Sequence, residues 1–128
     1  MILGVGIDIV EMERIRKVLE KHGEAFLKRV FNPEEIALAP GGPGDTAFYA
    51  GRWAAKEAVS KTLGTGIGAD CGWTDLCILR LPGGAPVLEL RGDGAATARR
   101  LGIARIHISI SHIKDTACAM AVAEGEQP

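Results

Sequence analysis

Arg105-Ile106-His107-Ile108-Ser109-Ile110-Ser111-His112 and, three residues later, Thr116-Ala117-Cys118-Ala119-Met120-Ala121-Val122-Ala123 both repeat at a period of two. That period belongs to extended chain with two unlike faces. Arg105 to Ser111 and Thr116 to Ala123 are therefore read as strands, close enough in sequence to pair antiparallel. In the second, Ala117, Ala119, Ala121 and Ala123 line one face, a smooth row that admits close approach by a helix or by another subunit.

Outward from this pair, Trp73 to Leu81 and Val87 to Arg91 read as two more strands around a Pro82-Gly83-Gly84 turn, and Ala95 to Leu101 has helical spacing ending at Gly102. Upstream the pattern turns helical. Glu11 to Lys21 is amphipathic, with Gly23 as its C-cap, and a short helix covers Glu24 to Val30. Asn32-Pro33-Glu34-Glu35 restarts the chain with an N-cap and a first-turn proline. After the Pro40 to Gly44 loop, a connector or a flap, Asp45 or Thr46 caps a long helix to about Leu63, with Phe48, Ala55, Ala58, Val59 and Thr62 inward. The sum is an α+β fold, a mostly antiparallel sheet packed with one long helix and shorter helices, in a single domain over residues 1–128. Glu124 to Pro128 reads as a frayed polar tail.

At the other end, Ile2 to Val10 is a further strand, with Leu3, Val5, Ile7 and Ile9 on one face and Gly4, Gly6 and Asp8 on the other. Glycines weaken a strand, so their placement predicts that a ligand or another chain comes close to the face that carries Asp8. On the long helix, Glu57 and Lys61 stand one turn apart on a stripe with Trp53. They could serve Mg²⁺ and a phosphate bridged to it, since this ion takes one or two protein carboxylates and leaves its other positions to water and phosphate. From spacing alone, a surface ion pair worth about 0.3 kcal/mol is the commoner meaning of such a pair.

Composition narrows the classes. The 128 residues carry 15 basic and 16 acidic side chains for a net charge of −1, so no global field marks a nucleic-acid binder. Cys71, Cys77 and Cys118 are odd in number and lack metal-binding spacing, which argues for reduced, packed thiols in a cytoplasmic protein. No segment has the ~20 apolar residues of a membrane span, and the apolar start has no basic leader region and is interrupted by Asp8.

Three blocks, Gly4-x-Gly6-Ile7-Asp8-Ile9-Val10-x-x-x-Arg14-Ile15, Arg52-Trp53-Ala54-Ala55-Lys56-Glu57-Ala58 with Lys61-x-Leu63-Gly64-Thr65-Gly66, and Ile108-Ser109-Ile110-Ser111-His112, together resemble holo-acyl-carrier-protein synthase. The resemblance implies an enzyme of fatty acid biosynthesis that moves 4'-phosphopantetheine from coenzyme A to a serine of acyl carrier protein. It also implies Mg²⁺ and a compact homotrimer with active sites between subunits. On that basis Asp8 and Glu57 hold the metal on the pyrophosphate, Lys61 neutralises charge there, and the serine hydroxyl attacks the β-phosphate to release 3',5'-ADP. The serine proton goes to Glu57 or to a metal-positioned water. Ser111 and His112 are implied at the 3'-phosphate across a subunit boundary, Gly64 in backbone contact with coenzyme A, and Arg52 as a cation for its nucleotide half or as a solvated helix residue. Arg14 is implied to dock the acidic carrier protein, through steering and register.

The chain departs from the family pattern at Trp53, where phenylalanine is commoner, and at Asn32, where threonine is commoner. Two other classes keep part of the pattern. A non-catalytic module binding coenzyme A or the carrier would keep the basic residues of the first helix, Arg14, Arg16, Lys17 and Lys21, and Ser111-His112 without needing both carboxylates. A metal-dependent nucleotide phosphohydrolase would keep Asp8, Glu57 and Lys61 but use water as nucleophile and more metal ligands.

Overall fold

The protein, seen in a computed structural model that describes residues 1–126, places its first strand β1 (Ile2–Glu11) antiparallel to its last, β5 (Thr116–Gly125). On its other side β5 pairs antiparallel with β4 (Ile103–His112), so the sheet order is β1-β5-β4. A separate hairpin joins β2 (Leu76–Arg80) to β3 (Pro86–Leu90). The helices are α1 (Met12–Val30), the single turn α2 (Pro33–Ile36), the long α3 (Asp45–Thr62) and α4 (Gly92–Arg100).

α3 is the centre of the molecule. Phe48, Ala54, Ala55, Ala58 and Val59 are buried in one core with Ala117, Ala119 and Ala121 of β5. Small side chains on the strand let the helix lie close, so what the alanine row receives is a helix of the same chain rather than another subunit. The glycine face of β1 is explained in the same way. A Cβ on Gly6 would sit 2.0 Å from the Ala58 carbonyl oxygen, and one on Gly4 would sit 2.7 Å from that of Thr62. The expected visitor, a ligand or another chain, is here the backbone of α3. The apolar face of β1 is consequently turned outward, with Val5 58%, Ile7 59% and Ile9 70% exposed.

Several boundaries differ from the sequence reading for local reasons. Gly23, at φ 44° and ψ −117°, breaks helical geometry between the two segments of α1, as the C-cap reading requires. Asn32 caps α2, where its backbone N–H donates to Glu35 Oε1 at 2.8 Å. Trp73 to Asp75 forms a 3₁₀ turn instead of the start of a strand. There the Asp75 carboxylate accepts the Gly72 N–H at 2.9 Å and the Gly94 N–H at 3.1 Å, which folds the chain back on itself and starts α4 earlier than Ala95. Glu124 and Gly125 belong to β5 rather than to a tail, because the Gly125 N–H donates to the Met1 carbonyl. Gln127 and Pro128 lie outside the described residues.

Cys71, Cys77 and Cys118 are all free thiols. Cys71 is fully enclosed, and burial, with the Asp75 carboxylate adding to it, pushes its pKa up to about 11. Among the described residues no helix is long and apolar enough to cross a membrane.

Candidate active site

Asp8 lies on the helix-facing side of β1, opposite Ala119 of β5. Lys61, on the last turn of α3, donates to Asp8 Oδ1 at 3.0 Å and to the Ile7 carbonyl at 2.9 Å. The second carboxylate oxygen, Oδ2, is buried without a hydrogen-bond partner. A buried carboxylate oxygen left in that state is costly unless a hydrogen-bond donor or a cation meets it.

Glu57 stands one turn before Lys61 and is half-buried. Burial raises its pKa first, and the negative charge of Asp8 raises it further, against the opposing fields of Lys61 and Arg14. Two carboxylates close enough to feel each other's charge, one with a spare buried oxygen, fit a hard divalent ion. Among the described residues no group of three or more metal-ligating side chains forms, so the donor set is the sparse one Mg²⁺ accepts when phosphate and water complete its shell. Arg14 reaches this edge from α1. Its guanidinium carbon lies 5.0 Å from the centre of the Trp53 ring, and Trp53 packs on Trp73 at 5.7 Å between centroids. Arg16, Lys17 and Lys28 are tied to glutamates of their own helix, whereas Arg14 makes no ion pair among the described residues.

The other sequence-predicted residues lie elsewhere. Arg52 is nine residues before Lys61 on α3, half a turn round and roughly 13 Å along the axis at the usual helical rise. It is not a solvated residue: it is 7% exposed, with its guanidinium carbon 4.0 Å from the centre of the Phe48 ring. At Gly64, φ is 76°, and its N–H donates to the Lys61 carbonyl. The Thr65 and Gly66 N–H groups both donate to Ser60, so this turn's amides are already used and the contacts it still offers are its carbonyls and its bare surface. Ser111 and His112 are adjacent on β4 and therefore alternate in direction. His112 is in register with the buried Ala117 and lines an open groove of about 860 Å³ with Glu11, Arg16, Thr46 and Lys114. Ser111 pairs with Cys118, which faces Ile9 on the outer side of the sheet.

Within one chain, then, Asp8, Glu57, Lys61 and Arg14 come together, while Arg52, Ser111 and His112 do not join them. Comparison with known proteins supplies the frame for that division. Residues 4–121 match the family model described as the 4'-phosphopantetheinyl transferase superfamily. The chain belongs to that superfamily. This transferase is 43% identical over 124 residues to the holo-acyl-carrier-protein synthase of Maridesulfovibrio salexigens, covering 97% of this chain and 99% of the relative. It superposes on the crystal structure of the Neisseria meningitidis holo-acyl-carrier-protein synthase with a TM-score of 0.89 at 35% identity, over 97% and 99% of the two chains. The Bacillus anthracis synthase, solved in complex with CoA (3',5'-ADP), aligns with a TM-score of 0.83 at 38% identity, over 98% and 99%.

One buried pair in this transferase was given no role by the sequence reading. Lys56 and Glu35 are both 0% exposed. The ammonium donates to Glu35 Oε1 at 2.7 Å, to the Val30 carbonyl at 2.7 Å and to the Trp73 carbonyl at 3.1 Å, so all its protons are used. Burial lowers the Lys56 pKa, and the Glu35 charge opposes that shift. The available signal was Lys56 itself, a lysine between alanines on an otherwise apolar stripe of α3.

Proposed function

We propose that this transferase moves 4'-phosphopantetheine from coenzyme A to a serine of apo-acyl carrier protein, with Mg²⁺ held by Asp8 and Glu57, in the cytoplasm. The observation that carries the metal assignment is the buried, unpartnered Asp8 Oδ2 beside a second carboxylate. Bound there, Mg²⁺ would withdraw charge from the pyrophosphate and so ease departure of 3',5'-ADP. Lys61 orients Asp8 through Oδ1 and keeps one ammonium proton free for a phosphate oxygen. Arg14, stacked on Trp53 with its charge felt at Glu57, offers a positive group to the acidic carrier. A relative solved with CoA (3',5'-ADP) supports the donor.

The working unit is a homotrimer in this reading. The outer sheet face leaves Val5, Ile7, Ile9 and the 44% exposed Met120 without cover, and burying such apolar surface against another copy is favourable. Arg52 and Lys61 project from opposite sides of α3, so one chain's Arg52, Ser111 and His112 would complete a neighbour's Asp8, Glu57 and Lys61.

Intact mass of apo-acyl carrier protein, after incubation with the protein, coenzyme A and Mg²⁺, tests the reading beside an EDTA control and Asp8→Ala. A gain of one phosphopantetheinyl group, lost with EDTA and reduced at least a hundredfold in rate by Asp8→Ala, is expected. No gain with several apo-carriers and a folded protein would sink it in favour of a binding module.

A further inference from the structure

Lys56 places a buried cation directly behind one groove. Its three protons go to Glu35 and to the carbonyls of Val30 and Trp73, and its ammonium lies 4.9 Å from the centre of the Phe31 ring, which meets the Phe26 ring edge-on at 6.0 Å. Val30, Trp73 and Phe26 all line a groove of about 240 Å³, together with Arg14, Arg29 and Trp53. Trp73 packs on Trp53, and Trp53 carries the Arg14 guanidinium. Trp53 in turn stands one turn before Glu57 on α3. The groove thus has an aromatic wall and two exposed arginines that make no ion pair among the described residues.

Stability alone gives no sufficient reason for a lysine there, because a buried ion pair is commonly matched or bettered by apolar side chains of the same volume. What apolar side chains cannot do is bind carbonyls. The Val30 carbonyl ends α1, where no helical N–H remains for it, and the Trp73 carbonyl sits in the 3₁₀ turn. One ammonium bonded to both fixes the spacing between the end of α1 and that turn, and so where Trp73, Trp53 and Arg14 stand relative to Glu57. We propose that Lys56 is a positioning residue of the transfer, holding from behind the aromatic wall against which the acidic carrier protein docks. This rests on the carrier reading above. Arg14 and Arg29 supply the charge that an acidic helix meets, and the two tryptophans supply the apolar contact beside it. The coenzyme A side is independent of this lysine, since Asp8 binds Lys61 instead.

The chain has two tryptophans, both in this groove, so intrinsic fluorescence reads the wall directly. Emission, and calorimetric binding of apo-acyl carrier protein and of coenzyme A, are measured for the full-length protein and two variants. Glu35→Leu with Lys56→Met fills the volume but frees both carbonyls, whereas Glu35→Gln leaves Lys56 enough N–H groups for both. The double variant should bind apo-carrier about tenfold more weakly, keep coenzyme A within about twofold and emit at longer wavelength, while Glu35→Gln should stay within about twofold throughout. Equal weakening of both ligands, no weakening, unchanged emission, a loss in Glu35→Gln equal to the double variant's, or an unaltered protein that binds no apo-carrier would overturn it. Should the double variant not fold, Trp73→Ala decides. Lys56 acts through that ring, so full carrier affinity without it overturns the proposal and the same selective loss supports it. Transfer to apo-carrier is run alongside. If transfer fails but the selective loss holds, the transferase reading falls and the positioning stands. If transfer proceeds and carrier binding is indifferent to Lys56, only the positioning falls.

Discussion

Two lysines of α3 each hold a carboxylate from another part of the chain, and the two pairs are built in opposite ways. Lys56 and Glu35 are fully buried and saturated: the ammonium has three acceptors, and Glu35 in turn accepts the N–H groups of Asn32 and Ile78. Lys61 is 51% exposed and Asp8 keeps one buried oxygen unpartnered. The first pair ties α2, β2 and the 3₁₀ turn to the helix and has nothing left to offer a ligand. The second is held in place by one oxygen and left open at the other. Saturation and burial, not charge, separate structure from site here.

The sharpest way to break that contrast is to remove Glu35. Glu35→Ala strands Lys56, the backbone N–H groups of Asn32 and Ile78 and the Asn32 side-chain amide, and should cost about 3–5 kcal/mol in urea unfolding. The double change Glu35→Leu with Lys56→Met should recover much of it. A loss for Glu35→Ala below about 1 kcal/mol would mean the saturated pair does not hold the fold.

A smaller effect follows from how Asp8 is placed. Gly6→Ala puts a methyl into the Ala58 carbonyl and should cost roughly 1–3 kcal/mol as β1 moves off α3. Because Asp8 moves with the strand, kcat/KM for carrier modification should fall about tenfold or more. Unchanged kinetics in a destabilised variant would show that Asp8 need not be held close to α3.

The smallest effect concerns Glu57, whose raised pKa has a definite sign. The folded protein holds this proton more tightly than the unfolded chain, so Glu57 favours folding below its ordinary pKa and opposes it once ionised. Glu57→Gln should therefore unfold at slightly higher denaturant near pH 7, by less than about 1 kcal/mol given its partial exposure, with the gain vanishing towards pH 4. Transfer by the unaltered protein should decline on acidification at a higher pH than an ordinary glutamate would give. A stability loss at pH 7 would place Glu57 with Glu35 as a structural group.

The sequence by itself determined the element types, because a period of two and a period near 3.6 are properties of the chain. It also marked Asp8, Glu57, Lys61 and Arg14, through three spaced blocks whose family the comparisons bear out. What it left undecided was which surface met which. The alanines of β5 and the glycines of β1 announced a close approach, but only packing showed that α3 makes both and turns Val5, Ile7 and Ile9 outward. Likewise Arg52 read equally well as solvated or as a ligand group until the fold buried it against Phe48 without an anion. Periodicity says that a face exists; burial, partners and leftover polar atoms depend on elements distant in sequence, and these only the tertiary structure decided.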